Sequence, residues 1–293
     1  MTRPPLVSVV IAAYRSDTGI AGCLSALQSQ TFTDFETIVV NSSPGDETRR
    51  IVTEEFPAVT FVESPTRLLP HAARNRGVQI ARGRLLVFTD ADCRPAPDWI
   101  EQCVAAQAAG HEVVCGSIEP DEQSWFGLGV HLCKYSFRLK GLPPGQCAIA
   151  GTANACYSQT AFDAAGPFDG EVYSGDAVLA WRAARRGWTP WFEPQALVRH
   201  GYGHTPAQFW RERWARGVDF GHARIAEEGW SRARLAAYLL AFPVLPVVQL
   251  ARGGRDAFRA GWGLVYVATL PVQALGHLAW SLGEAQAGLS RLR

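Results

Sequence analysis

The sequence predicts a three-layer α/β domain with a mostly parallel sheet, followed by a C-terminal helical hairpin. Three observations predict it. Leu6 to Ala12 is an almost unbroken apolar run rich in β-branched residues, the pattern of a parallel strand buried on both faces. Leu85 to Phe88 is a second such run, and Thr89, Asp90 and Asp92 emerge where it stops, at the strand end where open α/β sheets place ligands. Beyond Ser231 the composition shifts, and Leu235 to Leu250 and Gly261 to Leu282 carry no formal charge.

The 293 residues suffice for one large or two modest domains with a sizeable core. A net charge of +1 argues against a nucleic-acid partner. The seven cysteines are odd in number and scattered, with no Cys-X-X-Cys pair. They suggest neither a disulfide framework nor a zinc knuckle, and a reducing cytoplasm is expected. The N-terminus enters its first strand directly, without the apolar core of a signal peptide, so the expectation is a catalytic part that is not exported. No internal repeat or low-complexity tract is visible.

The elements follow in order. The first strand ends at Ala13, Tyr14 and Arg15. Asp17 or Thr18 can cap the next helix, in which Ile20, Cys23, Leu24 and Leu27 recur at helical spacing. Phe35 to Val40 reads as the second strand, closing at Asn41. Ser42 to Gly45 form a turn, and Asp46 and Glu47 open a helix through Phe56. Val59 to Val62 is a third strand. His71, Arg74 and Asn75 lie on a helix that Gly83 separates from the strand at Leu85. A helix from Trp99 to about Ala109 and a strand from Glu112 to Ile118 come next. The segment from Pro120 to Gly145, with Trp125, Phe126 and Tyr135, shows no clear period and suits an acceptor pocket or a core-covering loop equally. Gln146 to Tyr157 reads as a strand. Ser174, Gly175 and Asp176 open a helix that continues to Gly187. Trp188 to Phe192 and Ala196 to Arg199 are the last sheet elements, with His200 directly after. Gln208 to Gly221 is a basic aromatic helix.

Asp90 and Asp92 flank a small residue, so in a turn both carboxylates can share one hard divalent cation, which itself bridges phosphate oxygens. Asp-X-Asp alone is a weak signal. Here the pair ends an apolar strand, follows an Arg-Asn-X-Gly helix and precedes a Pro-rich exit.

The run from Arg74 to Asp98, with Val7 to Tyr14 before it and Ser174 to Arg182 after it, resembles the inverting family 2 glycosyltransferases over about residues 6 to 225. The resemblance implies a GT-A type nucleotide-sugar-transferase fold. It implies transfer of a sugar, with inversion, from a nucleotide diphosphate donor to an acceptor hydroxyl, with Mg²⁺ or Mn²⁺. A UDP-sugar is the first expectation for the donor, and a cell-envelope glycan or a lipid-linked carrier for the acceptor. Residue by residue, it places Ala13 and Tyr14 at the base and ribose. Asn41 stands where relatives commonly have an aspartate facing a uracil ring. An amide can still pair with a base edge but loses the charge-assisted bond, which weakens the expectation of uridine. Arg74 is either a charge partner of the diphosphate or, with Asn75, a holder of neighbouring loops, and Gly77 permits close helix-to-sheet contact. Asp90 and Asp92 would hold the metal, with Asp90 also on the donor side. His200, and less so His204, would complete the metal site or touch the diphosphate. Asp176 would deprotonate the acceptor hydroxyl. Relatives keep a Glu-Asp pair there, and this chain has Gly175 for the glutamate and Val178 for a later aspartate. Thr152 and Asn154 fall near the site, and Phe162, Gly166, Phe168 and Asp169 match a structural turn. Trp210, Trp214 and Arg213 either close over donor or acceptor or form a charged outer face.

Two other classes remain in view. A catalytically inactive nucleotide-sugar-binding protein would share the first half without needing Asp176. A nucleotidyltransferase should carry a Gly-rich, lysine-bearing phosphate loop after its first strand, where this chain has Ala13, Tyr14 and Arg15.

The expected domains are a catalytic part over 1–228 and a hydrophobic helical region over 229–293. A helical span needs about 20 apolar residues, ~30 Å. Leu235 to Leu250 is short and broken by Pro243 and Pro246; Gly261 to Leu282 is long enough but interrupted by Pro271, Gln273 and His277. If both crossed, Arg252, Arg255 and Arg259 would sit on the far side, against the positive-inside tendency. A re-entrant or interfacial hairpin at the cytoplasmic face of the inner membrane is therefore expected. The alternative is a soluble helical pair packed on the catalytic domain or on a second subunit.

Overall fold

The computed structural model describes residues 3–121, 123–201, 203 and 205–292. The chain forms two compact units, Met1–Ile118 with Pro143–His200, and Glu119–Leu142 with Gly201–Arg293.

The first unit is built on strands β1 (Val7–Ala13), β2 (Phe35–Asn41), β3 (Thr60–Glu63), β4 (Leu85–Asp90), β5 (Cys93–Pro95), β6 (Val113–Pro120), β7 (Gly145–Gln146), β8 (Asn154–Ser158) and β9 (Trp191–His200). They form one sheet in the order β3-β2-β1-β4-β8-β6-β9-β5, with β7 beside β9. The strands β3, β2, β1 and β4 run parallel, and β8 turns the sheet antiparallel against β4. The apolar run read from the sequence is the reason β1 is central. Val7, Val9, Val10 and Ile11 are fully buried, and the polar intruder Ser8 is satisfied by donating to Glu36 Oε1 at 2.7 Å and accepting from Gly83 N at 2.8 Å.

Helices α1 (Ile20–Gln28), α2 (Glu47–Arg50), α3 (Pro70–Ile80) and α4 (Trp99–Ala108) connect the first strands. On α3, Gly77 meets the sheet: a β-carbon there would come within 2.4 Å of Val10 Cγ1, so the close contact that the sequence suggested requires this glycine. The helix expected through Phe56 is shorter, since α2 gives way to a π-type turn over Ile51–Glu55. Two strand expectations change. The stretch from Gln146 to Tyr157 supplies β7 and β8, with 147–153 outside the sheet. The two pieces expected around Pro194 are one ten-residue strand, β9. The proline is tolerated there because it lacks only a donor, and its carbonyl accepts from Ser117 Oγ at 2.7 Å.

A buried polar knot ties the antiparallel half together. Asn154 Nδ2 donates to the carbonyls of Ser117 and Ala196, both at 2.8 Å, and its Oδ1 accepts from Trp99 Nε1 at 2.8 Å. Asn154 and Trp99 are fully buried, so each bond satisfies a group that water cannot reach. Helices α6 (Gln159–Ala165) and α7 (Gly175–Arg185) complete the unit together with a cluster of Phe88, Tyr157, Phe162 and Phe168.

The second unit is helical. Its first helix, α5 (Trp125–Tyr135), lies in the segment without a visible period. Gly127, Gly129, Val130, His131, Leu132 and Cys133 are all buried, so no polar face exists to produce a stripe. Its start was signalled by Ser124, whose Oγ accepts from Gly127 N at 3.1 Å. The basic aromatic helix is α8 (Pro206–Glu227), and the C-terminal region folds as α9 (Arg232–Ala241), α10 (Leu245–Arg259), α11 (Gly263–Ala268) and α12 (Leu270–Leu292). The compositional boundary at residue 228 falls inside this unit, at the end of α8. Close backbone approach joins α8 to α12: a β-carbon on Gly217 would lie 2.2 Å from Trp280 O, and one on Gly283 2.2 Å from Trp214 O. Phe209 of α8 packs with Val130, Cys133 and Val272, and Arg224 pairs with Glu284 at 3.0 Å.

Candidate active site

The strand order creates the site. From β1 the chain proceeds outward to β2 and β3, then returns to place β4 on the other side of β1, so the connections diverge in opposite directions at β1 and β4. A crevice opens outside the carboxyl ends of two strands that diverge in this way. The register aligns those ends: Ala12 faces Asp90, Ala13 faces Asn41, and Asn41 faces Glu63.

At the end of β1, Tyr14 is 37% exposed and its ring carries Arg67 at 4.6 Å and Arg15 at 5.4 Å. Arg15 adopts a left-handed φ of 52°, uncommon for a residue with a side chain, and its N–H donates to Ser43 Oγ at 2.8 Å. Ala13 is buried and its carbonyl accepts from Ser42 N at 2.9 Å. Asn41 is fully buried under the 42–46 turn. Its Nδ2 faces Ser43 O at 3.3 Å, Asp46 Oδ1 at 3.3 Å and Glu63 Oε1 at 3.4 Å, and its Oδ1 accepts from Ser43 Oγ at 2.9 Å. A base edge would reach that amide only by displacing these bonds. In the structure Asn41 organises the loop beside the crevice.

Asp90, Asp92, Cys93 and His200 offer ligand atoms that all lie within 4.8 Å of one another. The register explains the assembly, since β5 pairs with β9 so that Cys93 faces His200, and the intervening turn lays Asp92 Oδ1 3.7 Å from His200 Nε2. Burial, reinforced by Asp90 and Asp92, pushes the Cys93 thiol well above its ordinary pKa, so it remains a protonated, soft donor. Two carboxylates and an imidazole suit Mg²⁺ or Mn²⁺, and Cys93 does not. Those three residues fit such an ion.

Arg74 is buried and its Nη2 is paired with Asp90 Oδ1. Asn75 exchanges two bonds with the Phe168 backbone, donating to O at 2.9 Å and accepting from N at 3.1 Å. Asp176, in the first turn of α7, has one oxygen on Ala177 N at 2.8 Å and the other on Thr152 N at 3.3 Å. His71 stands between the two groups: Arg74 Nη1 is 3.4 Å from its Nδ1, and Asp176 Oδ1 is 3.8 Å from its Nε2. The structure thus brings Asp90, Arg74 and Asp176 into one connected site. Arg213 lies over the Trp280 ring at 4.3 Å within the helical unit. His204 lies outside the described residues.

Sequence reading passed over Arg67 and placed His71 on its helix without giving it a role. Arg67 donates to Tyr173 Oη at 3.4 Å as well as covering Tyr14, a pairing 106 residues apart that no local pattern announces. His71 precedes the Arg-Asn-X-Gly pattern by three positions, which was the available signal.

A switch point between β1 and β4, with a carboxylate pair at the end of β4 and a separate carboxylate in the first turn of α7, is the arrangement expected of a sugar transferase. The chain belongs to glycosyltransferase family 2, whose model, "Glycosyl transferase family 2", matches residues 8–166. It is a glycosyltransferase with a GT-A type fold. It is 27% identical over 203 residues to the glycosyltransferase AglE of Haloferax volcanii, a match covering 67% of each chain. It is 34% identical over 118 residues to the putative glycosyltransferase EpsH of Bacillus subtilis, covering 38% of this chain and 33% of that one. Among solved structures, the mannosyltransferase PcManGT from Pyrobaculum calidifontis, in complex with GDP-Man and Mn²⁺, superposes with a TM-score of 0.65 at 20% identity, over 99% of this chain and 88% of that one. TarS of S. aureus, residues 1–349 with UDP-GlcNAc, gives 0.53 at 17% identity, over 96% and 92%.

Proposed function

We propose that this glycosyltransferase moves a sugar from a nucleotide diphosphate donor, a UDP-sugar first and a GDP-sugar next, to an acceptor hydroxyl on a glycan or lipid-linked carrier. The anomeric carbon is inverted. The observation that carries the reading is the run of neighbours from Asp90 through Arg74 to His71, whose Nε2 meets the backbone N of Asp176 at 3.3 Å, which brings a donor-side carboxylate and an acceptor-side one to the same buried ring. Inversion requires those two ends and no enzyme nucleophile. Asp176 takes the proton of the acceptor hydroxyl as its oxygen bonds to the anomeric carbon and the bond to the diphosphate breaks. Tyr14, with Arg67 behind it, offers an exposed face to the base or ribose, and Arg74 holds Asp90 at the mouth. Asp90, Asp92 and His200 would hold a divalent cation, whose chemistry there would be charge neutralisation of the diphosphate. The GDP-Man and Mn²⁺ named with PcManGT and the UDP-GlcNAc named with TarS support the donor class.

The test is a thermal-shift panel of UDP-GlcNAc, UDP-glucose and GDP-mannose, each with and without Mn²⁺. A donor present at 100 times its Kd is expected to stabilise by about 2.7 kcal/mol, and a true donor should do so chiefly with the metal. No shift from any nucleotide sugar in either condition would sink the reading.

The reading extends to the site of action: the enzyme works at the cytoplasmic face of a membrane, attached by α9 and α10. With the short turn between them these form a 28-residue stretch, Arg232–Arg259, whose most apolar 18-residue window has a mean hydropathy of 1.6 and is 6% buried. Leu240 is 84% exposed, and Val244 and Val247 are also exposed, while Arg232, Arg234, Arg252, Arg255 and Arg259 bracket the apolar part. An apolar face between arginines suits an interfacial position on anionic lipid. Because α8 packs on α12, truncation at residue 228 would expose a core, so point variants are the sounder test. Full-length protein is expected to sediment with phosphatidylglycerol vesicles, and Leu240→Glu with Val244→Glu to lose most of that binding. Vesicle binding that ignores both changes would place the attachment elsewhere.

A further inference from the structure

Gly175 and His71 are shaped to each other. A β-carbon at 175 would lie 2.5 Å from Asp169 O and 2.9 Å from His71 Cδ2, so the imidazole fills the space beside the first turn of α7. The ring is 2% exposed and stacks on Phe168, with centroids 5.0 Å apart and planes at 27°. Three of its neighbours bear on its tautomer. Arg74 Nη1 lies 3.4 Å from Nδ1, and a guanidinium can only donate, so Nδ1 accepts. A neutral imidazole then carries its one N–H on Nε2, which donates to Tyr173 O at 3.0 Å. Asp176 N–H is also directed at Nε2, at 3.3 Å, and could donate to it only in the other tautomer; the two contacts compete, and the shorter one, to Tyr173 O, prevails. One buried side chain thus touches the arginine that holds Asp90 and the turn that launches Asp176, two segments 105 residues apart in sequence.

We propose that His71 is a positioning residue for sugar transfer: its Nε2–H fixes the Tyr173 carbonyl and through the 173–176 turn aims the Asp176 carboxylate. The inference rests on the reading of Asp176 as the base. A carboxylate displaced by about 1 Å can lose on the order of 100-fold in rate while the donor binds as before. The effect therefore falls on kcat.

Two isosteres divide the two bonds. The amide nitrogen of His71→Gln reaches the place of Nε2 and keeps the donor to Tyr173. The carbonyl oxygen of His71→Asn takes the place of Nδ1, keeps the acceptor for Arg74 and drops the Tyr173 bond. The assay is release of nucleoside diphosphate from UDP-GlcNAc and GDP-mannose with Mn²⁺ and water as acceptor, alongside donor Kd by calorimetry. His71→Asn is expected to lower kcat ~10- to 100-fold at a donor KM within ~3-fold of the parent, and His71→Gln to restore kcat. In the double variant His71→Asn, Asp176→Asn, the rate should fall no further than with Asp176→Asn alone. Gly175→Ala crowds the ring from the other side and is expected to lower kcat ~10-fold at unchanged donor KM, which serves if His71→Asn does not fold. Equal losses in the Gln and Asn variants, a fully multiplicative double variant or a parent-like kcat for Gly175→Ala would each overturn the role of His71. A slow Asp176→Asn beside a normal His71→Asn removes His71 alone, whereas a normal Asp176→Asn removes the base and His71 with it.

Discussion

Asp176→Asn is expected to bind nucleotide sugar with parent affinity and to turn over at least ~100-fold more slowly, the contribution typical of a positioned base. The asymmetry follows from where the carboxylate sits. It lies in the first turn of α7, held by the backbone N–H groups of Ala177 and Thr152, and an asparagine side chain can accept one of those bonds through its carbonyl oxygen. The fold therefore keeps its local geometry while the site loses its proton acceptor. The proposed donor contacts, at the ends of β1 and β4, are untouched. Single-turnover measurement of nucleoside diphosphate release, paired with calorimetric donor affinity, separates the two effects. Near-parent turnover would mean that another group takes the proton.

What was legible in the sequence was what local pattern encodes. The apolar runs of β1 and β4 suit strands covered on both faces in the middle of a sheet, and the small residue between Asp90 and Asp92 announces a turn that can point both carboxylates one way. Asn41 shows where that reasoning stops. Its position at the end of β2 is a matter of register and was readable, but its side chain is bonded within its own loop, a result of the spacing of Ser43, Asp46 and Glu63 in space. Helix α5 escaped notice because a helix buried on nearly all sides has no polar face, and β9 was read as two pieces where the folded strand runs on through Pro194, whose carbonyl accepts from the Ser117 hydroxyl. Arg67 and His71 act through contacts with Tyr173 more than 100 residues away, which depend on the assembled sheet.

The metal makes the sharper demand, and Asp92 is the residue on which to place it. Asp90 is a poor choice, because its removal would also strip the buried Arg74 guanidinium of a partner, and a buried charge left unpaired costs several kcal/mol of stability. Asp92 is 60% exposed at its side chain, so Asp92→Asn is expected to leave the melting temperature of the ligand-free protein within a few degrees of the parent. Losing one carboxylate of a site built from two carboxylates and His200 weakens a hard cation on the order of 100-fold or more, given that even outer-shell partners are worth 10- to 100-fold. Donor affinity measured in EDTA should be the same for parent and variant. Added Mn²⁺ should tighten the donor for the parent and leave the Asp92→Asn variant where EDTA left it. His200→Ala should show the same pattern in weaker form, since the imidazole is one ligand among three and carries no charge when neutral. A Mn²⁺ enhancement that survives Asp92→Asn undiminished would mean that the ion, if it is used, is not held at the end of β4.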